Sequence, residues 1–300
     1  MKQAILILAH GNYPHLIRLI NQLDSNFHVY IHLDRKHSFS KQELITLSNL
    51  TVVKGVFIKY KINWAGFNML KAILFLLKKA VVDEENRYFH LLSGQDYPIK
   101  PVAGFIKFME KNNGKEFLEY HTLPYSGWDN GTYSRYEYFF FHDLFNYRKE
   151  KGYRWILKAL NFQMKWKIRR KIPDHFETIY GGCCWFTLSR DCIRYVLEYT
   201  HKQPAFYRRL KYTFAPEETY LHSVILNSPF KDHVVKMSLR YVDWRYRNGN
   251  YPANLDESDF ESLCATDAFF ARKFKEGISN GLMNLIDDRL LKTHQGNYEK

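Results

Sequence analysis

The sequence predicts an α/β fold, a parallel sheet covered by helices, and three observations carry that expectation. Short continuous apolar runs alternate with stripes of helical period through residues 1–100. The runs have strand length and few polar interruptions, as strands buried on both faces require. With 46% apolar residues in a chain of 300, there is material for one large core.

The elements follow in order. AILILAH (Ala4 to His10) is the first strand, and NYPHLIRLINQL (Asn12 to Leu23) a helix with its stripe at Leu16, Ile20 and Leu23. Asn12 and Pro14 suit that helix start, one as a side-chain cap and the other through its fixed φ. HVYIHLD (His28 to Asp34) and LTVVKGVFI (Leu50 to Ile58) read as further strands. Phe67 to Val82 is a core helix whose solvated side is marked by Lys71, Lys78 and Lys79, and RYFHLLSG (Arg87 to Gly94) is the next strand. Ligands of such sheets bind beyond the carboxyl ends of the strands. The polar tips there are His10 to Asn12, His32 to Lys36 and Ser93 to Tyr97. No GxGxxG or GxxxxGK[ST] occurs, which weakens the dinucleotide and P-loop readings.

From Lys115 the pattern turns aromatic and irregular (EYHTLPYSGWDNGTYSRYEYFFFHD), composition that fills a core or stacks on sugar rings. Residues 1–114 therefore read as a nucleotide-binding half and 115–300 as a substrate-facing half of a single large domain, since no linker or repeat separates them. The polar ends are Gln3 and HQGNYEK. The N-terminal apolar run is strand-length, well short of the roughly 20 residues a bilayer needs, so no membrane span and no signal segment is expected. Cys183, Cys184, Cys192 and Cys264 lack zinc-site spacing and are expected to be buried thiols in a reducing compartment.

The net charge is +13, and ten basic residues against the single acid Glu150 between Arg148 and Lys171 supply nine of it. Tryptophans and aliphatics mix with these charges in YRWILKALNFQMKWKIRRKI, the composition of an interfacial helix on an anionic membrane or of a solvated basic face. The same stretch motivates a nucleic-acid-binding reading, but the charge is confined to one segment and no known binding motif accompanies it.

In APEETYLHS (Ala215 to Ser223), Pro216 suits the first helical position, where the dipole favours Glu217 and Glu218 in any case. Ala215 cannot complete a capping box with Glu218. On a helical wheel Glu217 falls near the centre of the apolar stripe and Glu218 to its side, so pattern alone points to Glu217 as the buried acid.

Four stretches then stand together: HLLSGQDYPIK (His90 to Lys100), GGCCWFTLSRD (Gly181 to Asp191), APEETYLHSVI (Ala215 to Ile225), and LRYVDW with FFARKF (Leu239 to Trp244, Phe269 to Phe274). With VYIHLDRK and KINWAGFNM, their order and spacing resemble the core-2/I-branching β-1,6-N-acetylglucosaminyltransferases and peptide O-xylosyltransferases, from about residue 5 to residue 275. The resemblance implies a GT-A type fold, a Rossmann-like mixed sheet flanked by helices. It also implies an inverting transfer from a UDP-sugar, by resemblance UDP-GlcNAc, with no divalent metal or other cofactor. The chain contains no Asp-x-Asp, the pair that holds a metal in most GT-A enzymes.

By the same resemblance Glu218 is the general base, in conflict with the wheel. Arg240 and Lys273 neutralise the departing diphosphate, with Arg272 placed to share the role, so the C-terminal segment is diphosphate-binding and residues 115–300 face the acceptor. Asp34 matches an acidic position that contacts uridine, although a strand-end carboxylate also caps turns. His10 and Trp64 are candidate walls of that pocket, and His32, two residues before Asp34, is read as structural. Asp96 forms a turn before Pro98, holds hydroxyls of the transferred sugar, or does both.

Cys184 stands where the xylosyltransferases carry a polar or acidic residue near the acceptor, which argues against a protein serine acceptor. A cytoplasmic bacterial-type enzyme of surface polysaccharide synthesis is expected instead, working on a glycan or lipid-linked glycan, peripheral at the inner membrane face. A UDP-xylose enzyme and a non-catalytic sugar-binding protein are the alternatives.

Overall fold

The computed structural model describes residues 2–128 and 133–291, so the terminal HQGNYEK and residues 129–132 of the aromatic stretch lie outside the described residues. Strands β1 (Lys2–Ala9), β2 (Phe27–Leu33), β3 (Val53–Phe57) and β4 (Asn86–Ser93) run parallel in the order β4-β1-β2-β3. Helices α1 (Tyr13–Asn21), α2 (Lys41–Asn49) and α3 (Phe67–Ala80) connect them. Alternate residues of β1 supply two cores: Ala4, Leu6 and Leu8 share one with α3, while Ile5, Ile7 and Ala9 share the other with α1. That covering of both faces is why the strand reads as an unbroken apolar run.

Helix α1 starts where the sequence places it, with Asn12 in the left-handed region at φ 45° and its side chain accepting from His15 N at 3.2 Å. Helix α2 is a finding beyond the sequence reading. Ser40 and Glu43 form a capping box at its start, but it buries only Leu47, too little to leave a stripe.

The chain continues through β5 (Asp96–Pro98), α4 (Val102–Lys111), β6 (Glu116–Leu118), β7 (His121–Thr122), α5 (Ser134–Glu137) and α6 (Glu150–Lys165). Then come β8 (Tyr180–Gly181), β9 (Phe186–Ser189), α7 (Arg190–Lys202), α8 (Pro204–Arg209) and α9 (Tyr220–Leu226). The last elements are β10 (Val234–Val235), β11 (Arg240–Val242), α10 (Phe260–Ala265), β12 (Phe270–Arg272) and α11 (Asn280–Ile286). Strand β9 lies antiparallel between β4 and β6, giving a seven-stranded sheet β10-β6-β9-β4-β1-β2-β3. The sheet is therefore mixed.

A second sheet, β11-β12-β5, stands beside it, with Arg272 of β12 directly opposite Asp96 of β5. Among the described residues no helix is long and apolar enough to cross a membrane. The cysteine expectation needs correction: Cys184 and Cys192 are buried and Cys183 is half-buried, but Cys264 is exposed. Helix α10 turns Phe260 and Leu263 to the core, which leaves the neighbouring Cys264 outside.

Candidate active site

The parallel strands carry their polar tips to one edge of the sheet. Asp34 follows β2 and is buried; its Oδ1 accepts from the backbone N–H of Lys36 at 3.0 Å and of Ile62 at 3.1 Å. Lys36 Nζ lies 3.4 Å from its other oxygen. The turn-capping role is thus present, and it anchors the loop that carries Trp64. His10 lies exposed at the end of β1, 5.8 Å from the ring of His37. Its imidazole titrates below the ordinary value, first through lost hydration and then through the charges of His37 and Arg148. His32 accepts from Tyr60 N at 3.0 Å inside the sheet, and burial holds its pKa near 4, so it serves as a neutral structural acceptor.

Trp64 is part-exposed, with ring centroids 5.3 Å from both Tyr147 and Phe214, and its carbonyl accepts from His142 Nδ1 at 2.9 Å. One residue further, the Ala65 carbonyl accepts from Ala215 N at 3.0 Å. The Trp64 loop and the glutamate segment are therefore neighbours.

Asp96 is fully buried, accepting from Ser93 N at 2.9 Å and Ser93 Oγ at 2.7 Å, with Arg272 Nε 3.7 Å away. The turn role of Asp96 is present, and the β5–β12 register adds a cation that sequence order alone does not reveal. Arg272 lies 3.8 Å over the Trp185 ring, and its buried Nε and Nη1 have no hydrogen-bond partner among the described residues. Buried donors left unpaired are costly, so such atoms mark a place for an acceptor.

Lys273 is buried as well, and among the described residues its Nζ has no hydrogen-bond or ion-pair partner. Burial first, then Arg272 and Arg148, lower its pKa to about 8. Arg240 is placed differently from Lys273. Its guanidinium donates to Thr187 Oγ1 at 2.8 Å, to the carbonyls of Leu91 at 3.0 Å and Phe186 at 2.9 Å, and to Ser238 O. It ties β4 to β9.

The glutamates lie in a 3-10 turn, Pro216–Glu218, entered through Ala215 at φ 47° and followed by α9. The short turn separates the two acids. Glu217 is 4% exposed with Oε2 unpartnered, whereas 32% of the Glu218 side chain is accessible. Burial and the neighbouring Glu218 push the Glu217 pKa up to about 8. Glu218 is raised by desolvation and pulled back by Arg135, whose Nη1 donates to Oε2 at 2.8 Å. Pattern correctly marked Glu217 as the buried acid; Glu218 is the one with an open side.

Arg135 escaped the sequence reading. It lies 3.6 Å over the Trp128 ring and 4.9 Å from that of Phe214, fixed by two aromatic faces. Gly181 and Gly182 let this part close up. A Cβ on Gly181 would come within 2.2 Å of Trp128 Cη2, and one on Gly182 within 2.1 Å of Glu119 O. Gly182 N in turn donates to Glu218 O at 2.9 Å. The buried Cys184 thiol is raised well above its ordinary pKa by desolvation, then by Cys183, Glu217 and Glu218, and Arg272 opposes this.

Among the described residues the His/Cys/Asp/Glu group close enough to share an ion is His28, Asp83 and Glu85. It lies at the opposite end of β2 from Asp34, with His28 Nδ1 2.9 Å from Asn86 Oδ1, and is no part of this site.

The mixed α/β sheet flanked by helices, with polar residues beyond its strand ends, agrees with the GT-A type fold that the sequence resemblance implies. The chain belongs to the Core-2/I-Branching enzyme family, whose model matches residues 4–264. It is 26% identical over 312 residues to xylosyltransferase 2 of Rattus norvegicus, covering 96% of this chain and 33% of that protein. It is 25% identical over 320 residues to xylosyltransferase 1 of Homo sapiens, covering 98% and 30%. The chain thus spans about a third of the length of these relatives. S. aureus TarS 1-349, solved in complex with UDP-GlcNAc, is similar over 39% of this chain and 34% of that chain, at 16% identity and a TM-score of 0.32, an overlap too slight to carry weight.

Proposed function

We propose that the chain is an inverting glycosyltransferase that moves a sugar, GlcNAc, from a UDP-sugar to a hydroxyl of a glycan or lipid-linked glycan, without a divalent metal, in surface polysaccharide synthesis on the cytoplasmic side of a membrane. The single observation that carries this reading is the presence together of an accessible carboxylate on Glu218, a buried Lys273 whose amine has no partner among the described residues, and an Arg272 guanidinium that faces Asp96 but leaves its buried Nη1 without a hydrogen bond. The acceptor oxygen attacks the anomeric carbon on the face opposite UDP, and its proton passes to Glu218. The bond to UDP breaks with its electron pair on the diphosphate, where Lys273 and Arg272 balance the charge that develops. Asp34, with His10 and Trp64 beside it, takes the nucleoside, and Asp96 orients Arg272 and the transferred sugar.

Arg240 was expected to join Lys273 at the diphosphate. Because its Nη1 and Nη2 donors are engaged by the sheet and only its Nε is unpaired, Arg272 takes that place in this reading. UDP-xylose is the second donor reading, favoured by the names of the relatives. A thermal-shift screen of UDP-GlcNAc, UDP-xylose and UDP, with and without EDTA, tests donor and metal together, since a native-state ligand raises stability by mass action. Stabilisation by UDP-GlcNAc that survives EDTA is expected. Stabilisation only by UDP-xylose changes the donor, and loss in EDTA ends the metal-independent mechanism.

A further inference from the structure

Helix α6 is held to the protein by one side. Gly152, Ile156 and Gln163 are buried, and Gln163 pairs with Phe139 through both backbone groups, accepting from N at 2.7 Å and donating to O at 3.0 Å. Gly152 packs so closely that a Cβ would come within 2.2 Å of Asn146 O.

The outer side is the unusual one. Lys151, Trp155, Lys158, Phe162 and Lys165 recur at helical spacing on a single stripe, and Trp166 extends it. Trp155, Phe162 and Trp166 are 48%, 57% and 63% exposed, and Leu144 is exposed beside Phe145, which stacks on Trp155 at 6.1 Å. Large aromatics gathered on one exposed stripe mark a contact surface. The lysines lie along these rings, Lys158 Nζ 5.1 Å from the Trp155 centroid and Lys165 Nζ 6.0 Å from that of Trp166. The single acid of the segment, Glu150, is paired with Arg154 at 2.6 Å.

The geometry points to the outer face of α6 as a docking surface for an anionic lipid bilayer, with Trp155, Phe162 and Trp166 entering the headgroup layer and Lys151, Lys158 and Lys165 meeting its charge. Charge complementarity selects this occupant. A second copy packed on the same face would set Lys151, Lys158 and Lys165 against their own counterparts. A nucleic acid would match the charge and the rings but leaves the exposed aliphatic Leu144, whose neighbour Phe145 stacks on Trp155 at 6.1 Å, without a partner, whereas a bilayer interface takes aliphatic and aromatic groups alike. Aromatic residues with a polar edge favour that depth. The segment begins beside the candidate site, since the Tyr147 ring lies 5.3 Å from that of Trp64 and 5.1 Å from that of Tyr153 in α6. Docking would therefore bring the mouth of that site to the lipid surface, and it goes beyond the transfer reading because binding can be read without turnover.

The test is flotation of the full chain with phosphatidylcholine vesicles, with and without phosphatidylglycerol, at physiological salt. Retention is expected only on the anionic vesicles, with a blue shift in tryptophan emission. Two triple variants, W155A/F162A/W166A and K151E/K158E/K165E, should each lose on the order of tenfold in partitioning, while unchanged thermal unfolding shows that they are folded. Three results overturn the inference: equal retention on neutral vesicles or on none, an aromatic variant that binds like the parent, or displacement from vesicles by a stoichiometric duplex oligonucleotide. Failure of UDP-sugar binding would remove the transfer reading and leave this result standing.

Discussion

Arg135 Nη1 donates to Glu218 Oε2 at 2.8 Å while its guanidinium lies 3.6 Å over the Trp128 ring. Stacking fixes the cation and the cation fixes the carboxylate, so the accessible oxygen of Glu218 is aimed. Burial raises the pKa of Glu218 and Arg135 opposes it. Glu218 must be ionised to take a proton. Removing the charge in Arg135→Met is expected to move the acid limb of the kcat/KM profile to higher pH, with activity recovered on the alkaline side and UDP affinity unchanged. An unshifted profile would show that Arg135 serves packing alone.

Replacing Glu218 by Gln keeps the shape and removes the base. Turnover is expected to fall by about 100- to 10,000-fold with UDP binding retained. Glu217→Gln should remain active, since that side chain is enclosed. The reverse outcome in the two assays would assign the base to Glu217.

Glu217 also predicts a stability effect. Its folded pKa is raised from 4.5 to about 8, so between those values the native state holds a proton that the unfolded chain has lost. The stabilisation present at low pH is then lost as pH rises through this window. Glu217→Gln cannot ionise. Its Tm is expected to decline less than the parent's between pH 5 and pH 8, as calorimetry would report.

Lys273 gives a pH dependence of the same sign, but in binding. With its pKa lowered to about 8, the cation disappears as pH rises beyond that value. UDP affinity should weaken from pH 7 to pH 9 with net proton uptake on binding, measured by calorimetry in two buffers. Lys273→Gln should flatten the dependence and weaken UDP by about 10- to 100-fold, the range of a charge-assisted contact. A steep dependence that persists in this variant would locate the titrating group elsewhere.

Arg240 should behave as a structural residue. Arg240→Met leaves the carbonyls of Leu91 and Phe186 without their buried donor and is expected to cost about 3 kcal/mol in chemical denaturation. The surviving folded fraction should bind UDP normally. Selective loss of UDP binding at full stability would restore Arg240 to the diphosphate.

The parallel strands were legible because burial on two faces writes itself as continuous apolar runs, and their ends then marked His10, Asp34 and Asp96. Helix α2 was hidden because Leu47 is the only residue it buries, although Ser40 and Glu43 spelled its cap. Arg135 was not legible because its partner lies 83 positions away and nothing local requires a cation there. The destination of the Arg240 donors was hidden for the same reason: a sequence names a guanidinium but not the carbonyls it meets. Glu217 and Glu218 were separable in principle, and the wheel identified which one is buried even though a 3-10 turn replaces the helix start it assumed.

The small sheet has a consequence for assembly order. Its middle strand, β12, comes later in the chain than both strands it joins, β11 and β5. A growing polypeptide can pair the seven-stranded sheet while Asp96 still faces no cation, and only the emergence of Phe270–Arg272 closes the gap between β5 and β11. Among the strands of the described residues, the one that sets Arg272 opposite Asp96 is the last in chain order.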